Sequence, residues 1–257
     1  MTIPDYLALA VFLACWLSLE PALRVIASKW PSVTGDMMIV RAAWMRQLLR
    51  RNFLLIDAQI IGQTIHSATF FGSANLLVIV GIGGAVVSAS DMPGGGIALH
   101  GGALELHGWR AFLLLAPLLR GLFDFIWSVR QLNYFLAAMA ASPLPDEEEQ
   151  FDTWSPALAA LLNRSLSSFS QGVRNYYFAC AAALWLLGPL PLAAGALGAT
   201  AFLIWRQTRS ATADRIHELV PLLPLNRSAE KNKKVEDNEE RTETSEDHSA
   251  ARTSEAP

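Results

Sequence analysis

The sequence predicts an all-α, polytopic membrane protein: four or five membrane-inserted helices, one interfacial amphipathic helix and a disordered C-terminal tail. Three observations predict it. Four mostly apolar runs, at 6–26, 67–90, 111–141 and 176–205, are as long as a bilayer crossing of about 20 residues requires. The chain is 52% hydrophobic and 17% charged with a mean hydropathy of +0.30, on the apolar side of globular usage. Charge is also unevenly placed: residues 226–257 hold 6 Lys/Arg and 9 Asp/Glu, which leaves 14 of each sign before them and assigns the net charge of −3 to the tail. The expected division is therefore a helical membrane domain over 1–225 and a charged cytoplasmic tail over 226–257, too poor in apolar residues to fold.

The first run begins at the end of MTIPDY, which is acidic rather than basic, and no small-x-small cleavage site follows the run. It reads as a retained helix, interrupted late by Glu20, Pro21 and Arg24. Segment 31–51 has Ser32, Thr34 and Asp36 as N-cap candidates, then Met37, Val40, Trp44 and Leu48 at helical spacing with Arg46 and Arg50 roughly opposite. This pattern suits an amphipathic helix at the inner membrane face, its arginines on lipid phosphates, or else a helix that docks a partner.

From Asn52 the apolar pattern resumes with no Gly or Pro before Gly62, so the second membrane helix extends well upstream of residue 67. At 100° per residue Asn52, Gln59, Gln63, His66 and Ser73 share one face, and Asp57, Thr64 and Asn75 line another. Polar faces are costly in hydrocarbon, so both are expected to meet helices or water. The Gly-rich stretch 90–109 reads as a flexible connector, and its His100, Glu105 and His107 are too few to complete a metal sphere.

Acidic 145–152 precedes Ser155 and Pro156, an N-cap followed by proline at the first helical position. The fourth run spans about 45 Å as a straight helix, yet Gly188, Pro189 and Pro191 break it. Either one kinked span results, or a hairpin whose tip is 188–191 and whose first arm starts near Ser155. Loop charge favours the hairpin. Basic residues fall after the first run (Lys29, Arg41, Arg46, Arg50, Arg51), before the fourth (Arg164, Arg174) and after it (Arg206, Arg209, Arg215). Only five insertions put all three groups on one side, the cytoplasm of an inner membrane, with the N-terminus periplasmic and the C-terminus cytoplasmic.

Other classes are excluded or unsupported. Scattered arginines make no dense cationic face for nucleic acid. Cys15 and Cys180, both in apolar runs, cannot build a disulfide framework and read as small core residues. No catalytic group, cofactor site or metal site is expected.

The informative residues are the costly ones. Arg120 and Asp124 are one turn apart in the third run, where they can meet on one helical face, and Glu20 and Arg24 have the same spacing in the first. Arg130 lies six residues beyond Asp124, toward the cytoplasmic end, where its stem can snorkel. With Asp57, Gln59 and Gln63 of the second helix, and Asn133, these form the candidate intramembrane polar network. It either fixes packing and register or lines a path for an ion, proton or anionic solute.

The same residues carry a family likeness. The stretches RAAWMRQLLRRNFLLIDAQIIGQTIHSATFFGSANLLVI (41–79), FIWSVRQLNYFLAAMAA (125–141) and RNYYFACAAALWLLGPLP (174–191) resemble the signature regions of the bacterial and plant membrane proteins of domain of unknown function 599. The cues are Arg41 with Trp44 and Met45, an Arg-rich turn before Asp57 and Gln59, the pair Phe70 and Phe71, the run Arg130, Gln131, Asn133, Tyr134, and a Tyr-Tyr-Phe segment ending in Gly-Pro. The resemblance spans roughly 5–210 and implies a multi-pass membrane protein without an assigned activity.

The functional expectation is thus a non-enzymatic membrane protein: a small channel or transporter with a polar path between the second and third helices. The alternatives are a membrane scaffold or assembly factor without transport, and a membrane-embedded lipid-modifying enzyme. Expected partners are the lipid bilayer and either a second copy or another membrane protein.

Overall fold

A computed structural model describes residues 3–29, 32–51, 54–90, 97–99, 102–104, 108–208 and 211–223. Seven α-helices account for nearly all of them: α1 (Ile3–Lys29), α2 (Val33–Leu49), α3 (Leu55–Ser90), α4 (Gly108–Ala140), α5 (Phe151–Ala183), α6 (Pro189–Thr208) and α7 (Ala211–Leu219). Three are long and apolar enough to cross a membrane, over Ile3–Leu23, Leu55–Ser88 and Ala111–Ala140. The fold is an all-α membrane fold, as the apolar runs predict.

Within the predicted connector, Ile97–Leu99 (β1) and Gly102–Leu104 (β2) pair as a short antiparallel hairpin, Ala98 opposite Ala103. This is more order than its glycines suggest. His100, Glu105 and His107, Asn52, and the tail from 226 lie outside the described residues.

The fourth apolar run forms the predicted hairpin. α5 ends in a 3-10 turn over Leu184–Leu187, and Gly188 at φ +129° reverses the chain into α6. The arms then run antiparallel: Gly195 faces Ala181 and Leu184, and the Arg206 guanidinium donates to Tyr177 Oη at 2.8 Å. α5 begins earlier than its proline signal suggests. Phe151 is its first residue, the preceding 3-10 turn Glu148–Gln150 leads into it, and Pro156 sits inside the helix rather than at its start.

α5 is the central element. α4 runs antiparallel along it, α3 packs on α4 and reaches α5 through Phe71, which meets Phe169 and Tyr176, α1 and α6 flank its C-terminal half, and α2 flanks its N-terminal half. Calling the Gly188 end upper, the molecule has an upper and a lower core. Phe12, Phe178, Trp185 and Leu192 anchor the upper one among α1, α5 and α6. Met45, Leu48, Phe135 and Leu162 anchor the lower one among α2, α4 and α5.

α2 differs from its predicted stripe. Ser32 is its N-cap, accepting from Gly35 N at 3.2 Å. Its buried residues, however, are Asp36, Ala43, Met45, Leu48 and Leu49, while Met37, Val40 and Trp44 are only partly covered. Packing against α5 and α7, rather than lipid alone, rotates the buried face by about one residue. Cys180 is also exposed, because Phe178, Ala179, Ala181 and Ala182 fill the inner face of α5 at its level.

Candidate functional site

Charged and amide side chains gather between the two cores, where α1, α4 and α5 meet. Their spacing along α5 sets the order. Arg174 Nη1 lies 2.6 Å from Glu20 Oε1, and Gln171 Nε2 donates to Glu20 Oε2 at 3.3 Å. One residue on, Asn175 uses both ends of its amide: its oxygen accepts from Trp16 Nε1 at 2.8 Å, and its nitrogen donates to Asp124 Oδ2 at 2.9 Å. A single buried amide thereby ties α1 to α4 through α5.

Glycine makes this approach close enough. A Cβ on Gly121 would come within 3.3 Å of both Asn175 Cβ and Gly172 O. The same Cβ would meet Asn75 Nδ2 at 3.4 Å, and that nitrogen donates to Leu118 O at 2.8 Å, joining α3. Lower down, Ser128 Oγ donates to Ser165 O at 2.9 Å.

The expected Arg120–Asp124 pair does not form. Asp124 takes Asn175 instead, and Arg120 turns to line a small cavity with Trp16, Glu20, Gln171, Arg174 and Asn175. That cavity holds about 50 Å³, room for a few waters. Helical spacing placed both charges on one side of α4, but the neighbouring helix supplied a better-aimed donor than a long flexible guanidinium.

Five further candidates are elsewhere. Asp57 is fully buried at the lower end of α3, accepting from Trp44 Nε1 at 2.7 Å and from Arg51 Nη1 at 3.0 Å. Arg130 is exposed and donates from Nε to Tyr134 Oη at 2.6 Å; Asn133 is exposed beside it. Gln59 and Gln63, with His66, face outward from α3, away from Asp57 and Asn75, so these three do not line a space between the second and third membrane helices. Arg24 is on α1, but its side chain lies outside the described residues.

Sequence reasoning missed Trp16, Gln171 and Asn175, and read Arg174 only as loop charge. Gln131, read only as part of the family likeness, is buried, and its Oε1 has no partner among the described residues. The available signal was that α5 carries amides and arginines at positions that continue an apolar helix.

Below the Glu20–Arg174 pair opens a cavity of about 860 Å³ between α1, α2, α5 and α6. Arg41 and Arg206 line it, as do Glu20 and Arg174, so the ion pair is common to both cavities. Arg41 Nη1 donates to Asn163 Oδ1 at 2.9 Å, and burial pushes its pKa below the ordinary guanidinium range.

Bundled helices of this length around an internal polar layer define an α-helical membrane protein. The family model described as "Protein of unknown function, DUF599" matches residues 7–212, most of the chain, and the chain belongs to that family. No curated protein and no solved structure matches it.

Proposed function

We propose that the protein is a small transporter of an anionic solute in the inner membrane, with its lower face in the cytoplasm. One observation carries this reading: the Glu20–Arg174 ion pair lines both the large lower cavity and the small upper one. A pair in that position works as a gate, since an anion that takes Arg174 from Glu20 opens the way upward. The path then runs between α1, α4 and α5, with Arg120 as its next cation. The orientation is supported by Arg41, Arg46, Arg50, Arg51 and Arg206, which all belong to the lower end.

Proteoliposomes with the purified protein test it, using phosphate, glycerol 3-phosphate and succinate as probes. Uptake of at least one above protein-free vesicles is expected, and its loss in Arg174→Gln with the protein still folded and inserted. If the native chain moves none of them, the transport reading fails. Co-purification of a partner, lost when 31–51 is replaced, would then return the scaffold reading.

We also infer that a second copy covers the outward face of α3. Among the described residues the side chains of Gln59, Gln63 and His66 have no hydrogen-bond partner, although they stand exposed on a span candidate. Amides both donate and accept, so the same face on a second α3 is complementary to them.

A further inference from the structure

We propose that the lower cavity is a binding site for an amphiphile with a phosphate headgroup, a phosphatidate or lysophosphatidate-type lipid; this rests on reading that cavity as the solute site and names the class of solute. Charge comes first. Three guanidiniums, Arg41, Arg174 and Arg206, face one carboxylate, Glu20, which Arg174 already engages. Among the described residues Arg41 and Arg206 have only uncharged partners, the Asn163 amide and the Tyr177 phenol. Two positive charges are therefore left for an anion, and a guanidinium fork matches phosphate oxygens two at a time. Arg41 gains most, being half-buried and poorly solvated.

Beside the hydroxyls of Ser167, Ser170 and Thr212, much of the wall is apolar surface that a free anion would leave unused. Leu23, Met37, Phe169, Val173 and Leu203 present apolar surface from four helices. The volume of about 860 Å³ is also in the range of roughly 300–1,000 Å³ that houses organic ligands, far beyond an inorganic phosphate. Depth fits a lipid. Leu23 is the last residue of the apolar span of α1, and Arg206 lies in the last turn of α6, so the arginines sit at headgroup level with hydrocarbon-depth walls above them.

The test measures binding rather than flux, on the intact chain in detergent, by native mass spectrometry and thermal shift. The probes are 1-oleoyl-lysophosphatidate, inorganic phosphate and mono-oleoylglycerol. Lysophosphatidate is expected to bind at least about tenfold tighter than either of the others, because only it satisfies both cations and walls. The double variant Arg41→Gln/Arg206→Gln should lose about tenfold or more of that affinity with its ligand-free melting temperature held. Leu203→Trp, which keeps every charge but fills the space, should weaken the lipid and spare phosphate. Phosphate binding as tightly as the lipid would overturn the tail, and mono-oleoylglycerol binding equally would overturn the headgroup. Full affinity in both variants would overturn the site. Binding without uptake of any anion removes the transport reading and leaves this one; uptake of a free anion with no lysophosphatidate binding does the reverse.

Discussion

Asp57 shows how one buried charge depends on its partners. It has no exposed surface, whereas the side chain of Arg51, its ion-pair partner, is 49% exposed. The two halves of the pair are therefore unequal. Arg51→Ala leaves a desolvated carboxylate with only the Trp44 N–H, a loss expected near 3 kcal/mol. Asp57→Asn removes the charge and keeps an acceptor for Trp44, so about 1 kcal/mol is expected. Thermal unfolding of the two variants in one detergent checks the order, and a larger loss for Asp57→Asn would contradict it. Two glycines give a second contrast. A Cβ on Gly172 would meet the Phe125 ring at 2.7–2.9 Å, and that ring is 1% exposed and stacked on Phe71, so it cannot yield. Gly172→Ala is expected to cost about 2 kcal/mol. A Cβ on Gly195 meets Leu184 Cδ1 at 2.5 Å, but Leu184 is a half-exposed flexible side chain that can turn away, and alanine favours helix. Gly195→Ala should therefore leave the melting temperature unchanged or raised.

Among the elements, α5 explains both what the sequence disclosed and what it hid. Hydropathy finds helices that face lipid, so α1, α3 and α4 were legible as apolar runs. α5 is flanked by α1, α2, α4 and α6, so its amides and arginines meet protein, and only its second half looked like a span. The hairpin was legible because Gly188 and two prolines mark the turn. The polar layer was not. Trp16 and Asn175 are 159 residues apart in sequence, and helical spacing says which face a residue takes without saying which helix will meet it. Hence the local Arg120–Asp124 pair was expected and the distant Asn175 bond went unseen. α3 poses the opposite problem, with a polar face that no described residue covers. Thr64, Ser67 and Thr69 each donate to the carbonyl four residues back, which satisfies their hydroxyls within the helix. Gln59, Gln63 and His66 have no such outlet. Replacing all three with leucine is expected to convert a dimer to monomer in gentle detergent, read by light scattering, with little change in the monomer's melting temperature. A native chain that is monomeric there would remove the inferred α3 interface.

At the scale of the whole molecule, two cores on either side of a polar layer fix which ends lie together. The upper core joins the starts of α1 and α6 to the end of α5, and the lower core joins α2 to the α4–α5 turn. α7 closes onto the lower end, where His217 Nδ1 lies 3.3 Å from Asp36 Oδ2 of α2. In a membrane this arrangement commits three exposed positions to definite sides. Leu187 marks the upper turn, Ala141 the α4–α5 turn, and Thr212 the start of α7. In a background without Cys15 and Cys180, a single cysteine at Leu187 should react with a membrane-impermeant maleimide on intact spheroplasts. Cysteines at Ala141 and Thr212 should react only after the membrane is opened. The Thr212 result is decisive for the hairpin, because a single kinked span through 176–205 would carry 212 to the side opposite 141. Labelling of 212 and 187 together from outside would separate the α5–α6 arms across the bilayer and undo the lower cavity, which needs Arg41 and Arg206 at one end.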